Sequence, residues 1–347
     1  MKSLDSEEVY SGGSYRRAFE IAGRFVEDFL DGIEVGRAVN TDDIESVERI
    51  IFVGIGGSGI IGDVAAQLLS ASGVEADVLK SYNLPKDKWD LAVAISYSGN
   101  TAETIKPVLD LIDHNTPCIF ITSDGFLSEF ATRKGIPTAR VKKGVPPRYG
   151  FPSMLGAALG VIDKIGLMHV EFEPEELKKF QRKIMEKNDT ESNPAKQAAL
   201  KIAKSNPIVY VYEEVRNIGY RLKCQLNENA KIYCGFGEIP EALHNEIEAI
   251  GPNDLIILPR ISIESDEMKE TIETLTRFLG GERCLSLKAD SKGGLEELLE
   301  LFMLMDYISL YVSILKDADP MTLPRVTELR KINRINEEIL RQARSRI

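Results

Sequence analysis

The sequence predicts an α/β fold: two doubly wound, mainly parallel-sheet halves followed by a C-terminal helix. Short apolar runs alternate with helical patterns, which is the signature of strands joined by crossover helices. The alternation occurs twice, separated by a polar stretch, and the strands of the first half end in turns rich in glycine and serine. The chain has 347 residues, which at roughly 150 residues per domain fits two domains.

Apolar residues at helical spacing over 19–33 predict an amphipathic helix that packs on the first sheet. Strands are predicted over 50–55, 75–80, 91–95 and 118–122, with helices over 60–69, 101–112, 126–134 and 154–165. The charged segment 171–193 breaks the pattern, so the first domain is placed at 1–165, a linker at 166–193 and the second domain at 194–347. In the second half, strands are predicted over 208–212, 231–233, 255–258 and 284–287. Helices there are predicted over 214–227, 241–249, 267–279 and 295–315, and the polar tail 324–347 is predicted to be one amphipathic helix docked on either half.

Composition excludes several classes of function. Against 43 basic side chains stand 54 acidic ones, a net charge of −11 that repels a phosphate backbone, so no nucleic-acid partner is expected. The apolar run 302–315 contains Asp306 and is shorter than the roughly 20 residues that cross a bilayer, so it reads as a core helix and no membrane partner is expected. The acidic N-terminus lacks the apolar stretch of a secretory signal, which places the chain in the cytosol. Cys118, Cys224, Cys234 and Cys284 have no C-x-x-C spacing and read as reduced core thiols. Only His114, His169 and His244 occur, far apart, so neither a metal nor another cofactor is expected.

The first strand runs into Gly54-Ile55-Gly56-Gly57-Ser58-Gly59 and then a helix. Glycines let the main chain turn sharply, and the free amides and positive dipole end of a helix start attract an anion, to which Ser58 adds a hydroxyl. Gly54, Gly56 and Gly59 also match the dinucleotide pattern G-x-G-x-x-G. That reading wants an acidic residue at the end of the second strand, where Lys80-Ser81-Tyr82 stands instead, and Asp77 lies too early. The third strand leads into Ser96-Tyr97-Ser98-Gly99-Asn100-Thr101, whose Ser96, Ser98 and Thr101 hydroxyls can donate to phosphate oxygens together with the loop amides. Asn100 with Glu103 also reads as a helix cap and capping box, which would not call for a second hydroxyl-rich turn.

Those two loops resemble the sugar isomerase (SIS) domain. Pro147-Arg148-Tyr149-Gly150-Phe151-Pro152, Asn227-Glu228-Asn229-Ala230-Lys231, Glu241-Ala242-Leu243-His244-Asn245-Glu246 and Leu315-Lys316-Asp317-Ala318-Asp319-Pro320 are similar, in order, to motifs of the bifunctional phosphoglucose/phosphomannose isomerases. The resemblance implies two SIS-type subdomains and a small sugar phosphate held at Gly57, Ser58, Ser96, Ser98 and Thr101. Aldose–ketose isomerisation needs a carboxylate that removes a proton α to a carbonyl and returns it to the neighbouring carbon. By the resemblance Glu228 is that base; on its own it reads as a surface glutamate.

The resemblance further implies a homodimer in which His244, from the neighbouring subunit, opens the sugar ring with help from Lys316. Histidine titrates near neutrality and suits that task. Arg148, held by preceding prolines, fits stabilisation of the enediolate charge. Seven residues before Lys316, where the family often has threonine near C1 and C2, this sequence has Ser309. Sugar-phosphate-binding regulators also use SIS domains, though neither terminus offers a basic helix-turn-helix pattern. Another sugar-phosphate isomerase, or a component of a ketose aminotransferase, stays open as well.

Overall fold

A computed structural model describes residues 3–70 and 72–346. In chain order its elements are α1 (Gly13–Ala22), α2 (Phe25–Arg37), β1 (Arg49–Val53), α3 (Gly57–Leu69), β2 (Glu75–Leu79), β3 (Leu91–Ile95), α4 (Ala102–Asp113), β4 (Cys118–Thr122), α5 (Gly125–Lys134), β5 (Thr138–Arg140), α6 (Phe151–Lys164), α7 (Pro174–Ile184) and α8 (Pro194–Ile202). They continue with β6 (Asn206–Val211), α9 (Arg216–Glu228), β7 (Gly235–Glu238), β8 (Asp254–Pro259), α10 (Asp266–Leu279), β9 (Cys284–Leu287), α11 (Gly294–Leu315), α12 (Pro324–Ile332) and α13 (Arg334–Arg344).

The chain forms two compact units. One comprises Phe25–Val170 and Leu323–Ile347, the other Met1–Arg24 and Glu171–Thr322. Each therefore borrows a terminal segment, unlike the expected division at 1–165 and 194–347. The expected linker contains α7, whose Leu177, Phe180 and Ile184 are buried. The helix expected over 19–33 is two helices broken at Gly23-Arg24. Phe19 and Ile21 of α1 are buried in the second unit, Phe19 meeting Tyr307 and Tyr311 at ring-centroid distances of 5.9 and 5.2 Å, so α1 does not pack on the first sheet.

In the first unit, five parallel strands are ordered β2-β1-β3-β4-β5. All residues of β3 and β4 are buried, as expected for a sheet covered on both faces. On that sheet lie α2 and α6, pressed unusually close because Gly32 and Gly36 face Gly156 and Gly160. A Cβ at Gly156 would stand 2.2 Å from the Phe29 carbonyl oxygen, and one at Gly32 would stand 2.2 Å from that of Ser153. The tail is two helices, not one, because Asn333 intervenes and caps α13 with its side chain. This helix docks on the first unit: Ala343 is buried and Tyr82 donates to Glu103 at 3.1 Å and to Asn336 at 3.4 Å.

The second unit holds four parallel strands ordered β7-β6-β8-β9. Its centre is α11, long and apolar enough to cross a membrane but wrapped by α1, α7, α8 and α9, with 89% of its most apolar window buried. No strand forms at 231–233: Lys231 adopts φ +58°, which no strand accommodates, and Tyr233 is 85% exposed. The fourth strand is instead the glycine-rich β7. The helix expected over 241–249 is two single 3₁₀ turns, Glu241–His244 and Glu246–Ala249, interrupted at Asn245 (φ −148°, ψ −61°).

The glycine contact between α2 and α6 gives a direct test. Gly156→Ala forces backbone apart in a packed core and is expected to lower unfolding free energy by about 1–3 kcal/mol in urea titration. Gly13→Ala, whose Cβ meets nothing within 4 Å, is expected to change it little. Equal effects at the two positions would contradict the close packing.

Candidate functional site

In the first unit the strand order reverses between β1 and β3, and ligands of doubly wound sheets bind at the carboxyl ends of strands beside such a switch point. The loops leaving β1 and β3 are the two glycine- and serine-rich turns. Gly56 takes φ +61° and is followed at once by α3, and Thr101 precedes α4. Neither helix start receives a side-chain cap. First-turn amides without intrahelical partners thus lie at both turns, beside the hydroxyl of Ser58 on α3.

Ser96 is 2% exposed and its Oγ lies 3.0 Å from Thr101 Oγ1, while Ser98 is half-buried. Asn100 does not cap α4, contrary to the simpler reading of that residue. Its Oδ1 accepts from the Phe126 amide at 3.0 Å and its Nδ2 donates to the Ser98 carbonyl at 3.1 Å, tying the serine loop to the start of α5. Gly99 is required there: at φ +64°, a Cβ would approach the Asp124 carbonyl oxygen to 1.9 Å. Nor does the dinucleotide pattern find its acid. Asp77 accepts from Trp89 Nε1 at 2.7 Å, and Lys80, at the end of β2, pairs with Asp63.

Tyr97, not among the expected site residues, connects this loop to Arg148. Its hydroxyl donates to the Lys142 carbonyl at 3.1 Å and accepts from the Val145 amide at 3.3 Å. Its ring lies where a Cβ on Gly150 would stand, at 2.5 Å. The 3₁₀ turn Pro147–Gly150 is thereby seated on the residue between Ser96 and Ser98. Within that turn Arg148 is 6% exposed, its guanidinium 4.9 Å from the Tyr149 ring centre. Burial raises the Tyr97 hydroxyl above its ordinary pKa, so it stays a neutral donor.

Glu228, His244, Ser309 and Lys316 belong to the second unit. Glu228 is the last residue of α9 and is half-buried. Its carbonyl accepts from Lys231 Nζ, which also donates to the carbonyls of Asp319 and Thr322, both at 2.8 Å. This one ammonium gathers the end of α9 and the loop that follows Lys316, the exposed C-cap of α11. His244 is exposed in its 3₁₀ turn. Ser309 is 0% exposed, donating to the Asp306 carbonyl at 2.7 Å and accepting from Asn229 at 2.9 Å. Its hydroxyl is thus enclosed, with both of these bonds made inside the protein.

The second sheet repeats the strand reversal between β6 and β8, but its crevice is filled by its own side chains. Arg260 grips both carboxylate oxygens of buried Glu264, and Tyr212 donates to the same carboxylate at 2.5 Å. Burial opposes ionisation of Glu264, yet Arg260 and Tyr212 outweigh it and hold its pKa below the ordinary value. Glu297 similarly accepts from the Ser262 and Gly293 amides at 2.7 and 2.8 Å.

Two helix starts without side-chain caps at the switch point of a doubly wound parallel sheet agree with the class of SIS-domain proteins that the sequence predicts. The SIS domain family matches residues 43–157, and the family described as "Bacterial phospho-glucose isomerase C-terminal SIS domain" matches residues 191–332. Among curated relatives, the bifunctional phosphoglucose/phosphomannose isomerase of Aquifex aeolicus is 30% identical over 317 residues, 87% of this chain and 93% of that protein. The D-glucosamine-6-phosphate 4-epimerase of Sulfolobus acidocaldarius is 33% identical over 233 residues, 67% of this chain and 74% of that protein. The fold is shared with the C-terminal domain of glucosamine-fructose-6-phosphate aminotransferase from Francisella tularensis (17% identity, TM-score 0.69, covering 88% of this chain and 98% of the other). It is also shared with tagatose-6-phosphate ketose/aldose isomerase from Escherichia coli (13% identity, TM-score 0.67, covering 90% and 96%). The chain belongs to the bifunctional phosphoglucose/phosphomannose isomerase family.

The Glu264 carboxylate also sets a pH dependence. Because its folded pKa lies below the unfolded value of roughly 4.3, its stabilising contribution is complete above that value and is lost as pH falls through the folded pKa. Glu264→Gln is therefore expected to flatten the loss of thermal stability below about pH 4. A variant whose acid limb matches the parent's would contradict that role.

Proposed function

We propose that this protein interconverts glucose 6-phosphate or mannose 6-phosphate with fructose 6-phosphate. The reading rests on the family relationship to isomerases of that name, over most of both chains. It is supported by two neutral loops suited to a phosphate and by a partly buried glutamate at a helix end. The Gly57-Ser58 and Ser96–Thr101 loops bind the phosphate through amides and hydroxyls, which explains anion affinity in an acidic chain.

After ring opening, in which one proton leaves the C1 hydroxyl and another reaches the ring oxygen, Glu228 takes the C2 proton. The C2–H electron pair becomes the C1–C2 double bond of a cis-enediolate, and the charge left on oxygen is stabilised by the Arg148 guanidinium. A proton then passes from O2 to O1, and Glu228 delivers its proton to C1 as the C2–O2 carbonyl forms, giving the ketose. Nothing is oxidised or reduced overall, so the step itself calls for no redox cofactor. His244 and Lys316 serve ring opening. The exposure of His244 fits a role in the partner subunit of a homodimer.

One relative supports a second reading. The 33% identity to a D-glucosamine-6-phosphate 4-epimerase makes a C4 epimerase acting on an amino-sugar phosphate the alternative. Proton NMR in D₂O separates the two. Isomerisation is expected to place deuterium on C1 of fructose 6-phosphate and on C2 of the aldoses, and Glu228→Gln to lower kcat by about 10²–10⁴ while still binding substrate. Mixing inactive Glu228→Gln and His244→Ala chains is expected to restore part of the activity if the site is shared. A C4 epimer of glucosamine 6-phosphate, with no fructose 6-phosphate from either aldose, would overturn the isomerase reading.

A further inference from the structure

Where α9 meets α11, the second unit carries a buried polar seam. Along α9 and its C-cap, Arg221, Gln225 and Asn229 recur every four residues, which puts them on one stripe of the helix. All three are buried, and they face Asp306 and Ser309 of α11. Arg221 donates through Nε and Nη2 to the two oxygens of Asp306 at 2.9 and 2.7 Å, and Gln225 Nε2 adds a bond to Oδ1 at 2.8 Å. Asn229 Nδ2 donates to Ser309 Oγ at 2.9 Å, and Ser309 donates onward to the Asp306 carbonyl at 2.7 Å. A carbonyl cannot donate, so the Ser309 hydroxyl must present its lone pair to the amide of Asn229, and the chain of bonds has one direction.

Such a seam adds little to stability. Desolvating a buried ion pair cancels most of its attraction, and apolar side chains of similar volume often hold helices together as well or better. What it supplies is registry: apolar ridges tolerate repacking, whereas a bidentate pair and two directed amide bonds are satisfied at a single rotation and height of α9 against α11. The last of these bonds falls on Asn229, the residue after Glu228.

We infer that the seam sets the position of Glu228, with Arg221, Gln225, Asn229, Asp306 and Ser309 as positioning residues. The Ser309 hydroxyl then acts on the base through Asn229. This rests on the reading of Glu228 as the base.

Steady-state kinetics on glucose 6-phosphate test it with three variants. Ser309→Ala is expected to lower kcat about tenfold, since small misplacements of a reacting group are costly, with KM within about twofold of the parent. Arg221→Met/Gln225→Leu/Asp306→Leu is expected to melt at or above the parental temperature and yet lose kcat by at least as much. Parental kcat in either folded variant overturns the inference. So does a raised KM with unchanged kcat in Ser309→Ala, which would make Ser309 a substrate contact. Glu228→Gln separates the two claims. If it is inactive while the seam variants are fully active, the positioning role alone fails. If it keeps parental turnover, the base assignment fails and the positioning role with it.

Discussion

A parallel sheet that reverses its strand order puts two helix starts side by side at one edge, each with a turn of amides that its own helix cannot satisfy. In the five-stranded sheet, the loops leaving β1 and β3 provide no side-chain cap at either start. The rest of the unit holds those loops in shape. Asn100 spends its amide on the neighbouring turn, Gly99 lets that turn approach, and Tyr97 seats the segment carrying Arg148. On the proposed reading a phosphate satisfies what the chain leaves open, without lysine or arginine in the loops themselves. That reconciles phosphate chemistry with a net charge of −11.

The second sheet shows the same topology put to another use. Glu264, gripped by Arg260 and Tyr212, occupies its switch point, and Glu297 takes up loop amides that would otherwise be free. An internal carboxylate thus occupies the place that the proposed reading gives to a phosphate in the first unit. This unit contributes a helix end instead: Glu228 at the close of α9, clasped by Lys231 and supported from beneath by a polar contact with α11. On the proposed reading, one fold repeated within a chain serves as an anion receptor in the first unit and as a carrier of titratable groups in the second.

Much of this was legible in the sequence because local rules agreed with the final structure. The strands at 91–95, 118–122 and 284–287 match β3, β4 and β9, since continuous apolar runs between turn residues admit few alternatives. The two loops could be read because glycine and serine carry their meaning locally. Long-range partners hid the rest. Nothing near Gly23 announces that Phe19 joins Tyr307 and Tyr311 in the other unit, and the charges of α7 concealed an amphipathic helix as a linker. Lys231 was expected in a strand, but its backbone is left-handed and its ammonium donates to three carbonyls. The resemblance places Ser309 near the sugar, while its burial within α11, and its bond to Asn229, come from long-range packing. The four-residue spacing of Arg221, Gln225 and Asn229 was the available signal for the seam, a polar stripe where an amphipathic helix is expected to be apolar.

The most direct measurement is a crystal structure of the protein with fructose 6-phosphate bound. The phosphorus is expected at the β1/β3 switch point, its oxygens about 2.7–3.2 Å from the amides and hydroxyls of the Gly57-Ser58 and Ser96–Thr101 loops. A phosphate held at the β6/β8 crevice, or by exposed lysines away from both helix starts, would contradict the account.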